Sequence, residues 1–165
     1  PVNEDRLTHY NFAALLRSMN RDARAGISLP WGIAKELSVG GETILIGQLA
    51  VSSIFYGSLR SAAIGYWIDE SHAGRGLTPR AVAMAIDYCF GELNLHRIEI
   101  NILPENASSI RVVEKLGFRD EGIRKNYLHI NGRWRDHRSY AMTVEEAPQG
   151  GLWHKIAQQA EGKTV

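Results

Sequence analysis

The stretch HAGRGLTP, from His72 to Pro79, carries the most chemical content in the chain. Gly74 and Gly76 let the main chain turn so that successive N–H groups converge. Thr78 suits a helix N-cap, and Pro79 suits a first helical turn, where a missing N–H costs nothing. Such a loop presents donors at the positive end of a helix dipole, which is a seat for a phosphate or diphosphate. A tight strand-to-helix turn without a ligand fits the same residues. The Walker pattern does not fit, because Leu77-Thr78-Pro79 supplies no Lys before Ser or Thr. The dinucleotide fingerprint does not fit either, because Ala81 stands near its third glycine.

Other reactive side chains are few. Cys89 is the single cysteine, which excludes an intrachain disulfide and points to a reducing, cytoplasmic setting. It falls on the apolar face of a helix, so a buried thiol is expected rather than a nucleophile. His9, His72, His96, His129, His137 and His154 are scattered without ligand spacing, and no metal is expected.

The elements that position the loop follow from periodicity. Phe12, Leu15, Leu16 and Met19 recur at helical spacing, and Leu29 to Gly32 breaks that pattern. Strands are expected at Gly32 to Val39, Thr43 to Phe55 and Ser61 to Asp69, separated by glycine turns. Thr78 to Asn94 reads as a buried helix with Leu77, Ala81, Met84, Ala85, Tyr88 and Cys89 on one face, widened by Val82, Ala83 and Ile86. Arg97 to Leu103 alternates as a strand, with Ile98, Ile100 and Ile102 on one side and Arg97, Glu99 and Asn101 on the other. A second helix follows Asn106, with Ile110, Val113 and Leu116 inward and Gly117 as its stop. Asn131-Gly132 is a type I′ hairpin signal between Tyr127-Ile130 and the run Arg133 to Val144. Strand-helix-strand implies one parallel pair in a mostly antiparallel sheet.

Composition narrows the function classes. Hydrophobic residues are 44%, charged residues 22%, and the formal net charge is +1. That describes a globular domain and lacks the basic excess of a dedicated nucleic-acid binder. The local clusters Arg119 to Lys125 and Arg133 to Arg138 read as a solvated sheet edge. No apolar run approaches the ~18 residues of a membrane span, and no signal peptide is evident.

Two segments, IGYWIDESHAGRGLTPRA (Ile64 to Ala81) and LHRIEINILPENASSIRVVEKLGF (Leu95 to Phe118), resemble the GNAT acyl-CoA transferases. Within them the chain looks most like the Rim type, the ribosomal-protein-alanine N-acetyltransferases. The resemblance runs from about Trp31 to Glu146. It implies an α+β GNAT fold, with a mixed, mostly antiparallel twisted sheet that splays between two parallel strands and is flanked by helices. The GNAT domain is expected at 1–147, and a linker with a short C-terminal helix or tail at 148–165. The chain begins at Pro1, and the family's first strand and helix are not evident before Trp31, so an N-terminal strand is expected to be missing.

The resemblance also implies roles. Acetyl-CoA would lie in the splay as co-substrate, its pantetheine arm held near Ile68, Asp69 and Glu70. Gly74, Arg75, Gly76, Leu77 and Thr78 would hold the diphosphate. Asn106 is similar to the family asparagine that contacts the cofactor, and Ser109 to the serine near the thioester sulfur. The loop departs from the family at Ala73 and Thr78, where main-chain donors remain. The family's general-acid tyrosine position carries Val113, which leaves Ser109 as the proton donor.

Glu99, on the polar side of its strand, is the first choice for general base; an ion pair with Arg97 is the alternative. His72 and His129 are further possibilities. Trp67 on its strand, and Tyr127 and Trp134 on the hairpin with Asp136, are candidate acceptor contacts. The expected acceptor is a protein N-terminal α-amine, with a small-molecule amine or a non-catalytic acyl-CoA-binding module as alternatives. An α-amine is neutral at pH 7 some few hundredfold more often than a lysine, about 8 against about 10.4 in pKa, which suits a site without a strong base. A homodimer is also within expectation.

Overall fold

The computed structural model describes residues 9–161. Six strands form one sheet in the order β1-β2-β3-β4-β6-β5. The elements run α1 (His9–Arg24), β1 (Leu29–Glu36), β2 (Thr43–Phe55), β3 (Ser61–Ile68), α2 (Leu77–Gly91), β4 (Arg97–Ile102), α3 (Ala107–Leu116), β5 (Arg119–Ile130), β6 (Arg133–Thr143) and α4 (Leu152–Glu161). This is the expected α+β architecture. No described helix is long and apolar enough to cross a membrane.

The decisive feature is how β3 meets β4. They pair in parallel through Ser61–Arg97, Ala62–Ile98 and Ala63–Glu99 only. Beyond Glu99, β4 continues to Ile102 against β6, and β3 continues to Ile68 against β2. The two strands therefore diverge, and the main-chain groups along the inner edges of the gap have no ladder partner. The expected splay is present, and its apex is Ala63 and Glu99.

The core lies on one face of the sheet. Ile98, Ile100 and Ile102 of β4 and Tyr140 and Met142 of β6 point into it, and α2 and α3 cover it. Strand alternation sends Arg97, Glu99 and Asn101 to the opposite face, where Glu121, Arg124 and Ser139 supply polar partners. Helix α4 joins the same core. Its Leu152 and Ile156 are buried, and both oxygens of Asp87 on α2 accept its first amides, from Leu152 at 2.8 Å and Trp153 at 2.9 Å. Helix α4 thus packs against α2.

Several local expectations need correction. Leu29 to Gly32 belongs to β1, which starts at Leu29 and stops at Glu36. Pro30 is accommodated because β1 is the sheet edge, where a missing N–H breaks no central ladder. Helix α2 starts at Leu77, so Thr78 is inside it; its N-cap is Gly76, at φ 74°. The helix ends at Gly91 rather than Asn94, which adopts φ 53°.

The buried stripe of α2 is Val82, Ala83, Ala85, Ile86 and Cys89, whereas Met84 and Tyr88 are largely exposed. Those two line an apolar groove of about 650 Å³ beside β1, where Trp31 meets Tyr88 edge-on at 5.4 Å. In α3, Val112 is buried alongside Val113 and Leu116, and Ile110 only partly. Strand β5 begins at Arg119, well before Tyr127. Register shifts around Gly122 (φ 92°) and Asn126 (φ 47°) interrupt its alternation. The turn at Asn131-Gly132 has φ 50° and 81°, as type I′ requires.

Candidate active site

Between α2, α3 and the free edge of β3 lies a cleft of about 530 Å³. It is lined by Tyr66, Trp67, Ile68 and Glu70 at the end of β3, by the loop from His72 to Pro79, and by Asn106, Ser108, Ser109, Arg111, Val112 and Lys115.

The loop wall is built by two left-handed glycines, Gly74 at φ 75° and Gly76 at φ 74°. No protein atom lies within 4 Å of where a Cβ would stand at either. The glycines therefore answer to backbone conformation, and to whatever approaches from the cleft. No side chain caps α2 at Gly76. The first amides of a helix need partners from outside it, so these stay available to a ligand at the positive end of the helix dipole. The loop is braced from behind. Arg75 donates to the Ser71 carbonyl at 3.1 Å, and Asp69 accepts from the Ser71 amide at 2.9 Å and from its hydroxyl. These bonds hold the Asp69 carboxyl below its usual range. Arg75 and Asp69 do not line the cleft; they shape its rim.

The α3 wall begins at Asn106. Its side-chain oxygen accepts from the Ser109 amide at 3.1 Å and the Ser108 hydroxyl at 2.8 Å, so Asn106 is the N-cap of α3. Ser109 is half-buried and lines the cleft. Across the gap, the Tyr66 hydroxyl donates to the Ser109 carbonyl at 3.4 Å. Burial pushes the Tyr66 phenol up to about 12. Val113, where the family's tyrosine would stand, is wholly buried in the core.

The opposite face of the sheet holds an ion-pair network around Glu99. One carboxylate oxygen accepts from Arg97 Nε at 3.0 Å and the other from Arg124 at 2.8 Å. Arg97 also pairs with Glu121, whose carboxyl is drawn down to about 2. Arg124 donates to the Tyr127 hydroxyl at 3.0 Å and lies over that ring, whose edge meets buried His137. Nearby, the Ser139 hydroxyl donates to Asn101. Trp134 stands on the hairpin tip against His129 and lines a separate pocket with Pro104 and Glu105. Asp136 accepts from Lys125 and from the Asn126 amide.

The cleft therefore gathers Trp67, Ile68, Glu70, Gly74, Gly76, Leu77, Thr78, Asn106 and Ser109. It does not include Glu99, Tyr127 or Trp134. Of the two readings of Glu99, the ion pair with Arg97 matches its contacts. Trp67 is half-exposed and donates to Gln48 at 3.3 Å. Sequence reasoning missed Arg111 and Lys115 as cleft residues. The signal was there for α3: Ser108, Arg111 and Lys115 follow helical spacing one face away from the apolar stripe. Cys89 is fully buried and its thiol is pushed up to about 12, as expected of an inert core residue. Among the described residues no group of three or more His, Cys, Asp or Glu could hold a metal ion.

A strand-loop-helix amide nest feeding a gap between diverging parallel strands is the layout of a nucleotide-thioester transferase. The family model for the acetyltransferase (GNAT) domain matches residues 3–119, and the chain belongs to the GNAT acetyltransferase family. Mycobacterium smegmatis RimJ, solved in complex with CoA-disulfide, superposes with a TM-score of 0.84 at 40% identity, over 94% of this chain and 71% of that one. The probable N-acetyltransferase YjcK of Bacillus subtilis (strain 168) is 46% identical over 98 residues, 59% of this chain and 54% of its own. The ribosomal protein uS5-alanine N-acetyltransferase of Escherichia coli (strain K12) is 37% identical over 109 residues, 66% of this chain and 56% of its own. The chain spans little more than half the length of these curated relatives.

Proposed function

We propose that this chain carries an acetyl-CoA-dependent N-acetyltransferase activity, and that its acceptor is the α-amine of a protein N-terminus such as that of a ribosomal protein. The observation that carries the reading is the uncapped start of α2, open to a cleft that ends at Ser109 and the strand gap. The diphosphate of acetyl-CoA takes the amides from Gly74 to Thr78, and the pantetheine arm lies along Ile68 to Glu70. The thioester then enters the gap, where free main-chain N–H groups meet the oxyanion.

Transfer is direct. The amine nitrogen bonds to the acetyl carbon, the carbon–sulfur bond breaks, and the sulfur leaves as thiolate, which takes up from water one of the protons that the amine gives up. Ser109 donates a hydrogen bond to that sulfur. The phenol of Tyr66, at about 12, is a weaker acid than a thiol near 8.5, so Tyr66 acts by holding α3 in place. The amine sheds its proton to water, or to Glu99 at the apex of the gap. The similarity to a uS5-alanine acetyltransferase supports the α-amine.

A thiol-release assay tests this with an alanine-starting peptide, spermidine and an aminoglycoside as rival acceptors. Turnover with the peptide alone is expected. Turnover with only the small amines would replace the acceptor assignment. Equal and negligible turnover in wild type and Ser109→Ala, with CoA still bound, would leave only a binding module.

A further inference from the structure

The strands of this sheet contain Gly32, Gly47, Gly65 and Gly122, and all but Gly65 have a local cause. A Cβ at Gly32 would meet Leu45 at 2.8 Å, and one at Gly47 would meet the Trp67 carbonyl at 2.6 Å. Gly122 has φ 92° at a register shift. Gly65 is outside the left-handed region, and its pairing with Ala50 is regular. No protein atom lies within 4 Å of where its Cβ would stand. A glycine weakens a strand, and it is kept for a bulge, a bend or the close approach of another group. Among the described residues nothing approaches Gly65, so its cause is sought in what binds there.

Its position says what that is. Strands β3 and β4 part after Ala63, so Gly65 lies two residues into the gap, on the free edge of β3. Ile64 is buried and Tyr66 reaches α3, so alternation turns Gly65 and Trp67 to the other face, that of Glu99. The donor cleft lies on the helix side, and an acceptor therefore comes to the gap over Gly65. Trp67 stands about 7 Å farther along the same face. Its indole is held by a hydrogen bond to Gln48 at 3.3 Å, and Trp67 also lines the donor cleft. It stands where donor and acceptor meet.

Resting on the α-amine reading, we propose that Gly65 and Trp67 set the acceptor specificity. The acceptor's first side chain lies on the bare strand at Gly65. The absent Cβ leaves room for a side chain of a few atoms, and the indole closes the space beyond it.

Initial rates with peptides that start with Ala, Val or Leu and are otherwise identical, and with spermidine, test this on wild type, Trp67→Ala and Gly65→Val. Wild type is expected to favour the Ala peptide over the Leu peptide at least about tenfold in kcat/KM. Trp67→Ala is expected to shrink that ratio at least about threefold. The ratio is taken within one variant, so a change in CoA affinity cancels from it. Gly65→Val is expected to lose about tenfold in kcat/KM for the Ala peptide, with CoA affinity by calorimetry and melting temperature unchanged, because a β-branched residue suits an open strand position. Equal action of wild type on all three peptides overturns the inference and leaves the transferase reading standing. So does a Trp67→Ala variant with the wild-type ratio, or a Gly65→Val variant with the wild-type rate. Wild type that acetylates spermidine and none of the peptides removes the α-amine reading and this inference together.

Discussion

The Tyr66 hydroxyl reaches across the gap between β3 and α3 to the main-chain carbonyl of Ser109, at 3.4 Å. It ties the strand that would carry the pantetheine arm to the helix that carries the sulfur's hydrogen-bond donor. Tyr66→Phe keeps the ring's packing and removes this one bond, worth about 0.5–1 kcal/mol. Turnover is expected to fall further than CoA affinity. With the phenol at about 12, wild type and variant should show the same pH–rate profile from about pH 6 to 9. A new limb in the variant's profile would assign Tyr66 a proton-transfer role instead.

Gly76→Ala probes the nest directly. The residue sits at φ 74° with no protein atom near its would-be Cβ, so the cost is conformational, about 1 kcal/mol. A methyl group there also points a side chain where the amides should meet a diphosphate. CoA affinity is expected to drop at least about tenfold in calorimetry, with far-ultraviolet circular dichroism unchanged. Unaltered affinity would move the diphosphate off this loop.

Asn106 caps α3 through the Ser109 amide. Asn106→Ala should cost about 1 kcal/mol, which lowers the melting temperature by about 2–4 °C in a chain of this size. Asn106→Asp preserves the acceptor and is expected to restore most of that stability. If the aspartate variant is as unstable as the alanine one, the amide nitrogen of Asn106 carries the effect.

Glu121 lies between Arg97 and Arg119, and these bonds draw its carboxyl down from 4.5 to about 2. A carboxyl depressed on folding adds stability above its unfolded value and loses it as pH falls through its folded value. In urea titrations, wild type should therefore be more stable than Glu121→Gln above about pH 4.5, with the gap closing toward pH 2. A gap that persists undiminished at pH 2 would mean that the contribution is packing rather than charge.

Cys89 should be silent to an aromatic disulfide reagent in the native protein and react only as the chain unfolds. Its side chain has no exposed surface and its thiol is raised to about 12 by burial. Rapid labelling under native conditions would contradict the packing of α2.

Much of this protein was legible before any coordinates. Local order is decided locally: Gly74 and Gly76 must turn, Asn131-Gly132 must close a hairpin, Gly117 must stop a helix, and Ile98, Ile100 and Ile102 must face one way. Each was readable because its cause lies within a few residues. What failed depended on partners far along the chain. Pro30 sits in a strand because that strand is an edge. Met84 and Tyr88 are uncovered because β1 leaves a groove there. Glu99 is engaged by Arg124, 25 residues away, a contact that only the pairing of β4 with β6 and β6 with β5 brings about.

The sequence by itself determined the turns, the helix and strand periods, and the residue types from which an amide nest can be made. The tertiary structure decided which of those residues share a cleft. That is a question of how two strands that pair for three residues then part, and of which face of α3 looks into the opening. Periodicity sorts the residues of α3 into faces but does not say what each face meets, because that arises from contacts among segments that meet only when the sheet is assembled.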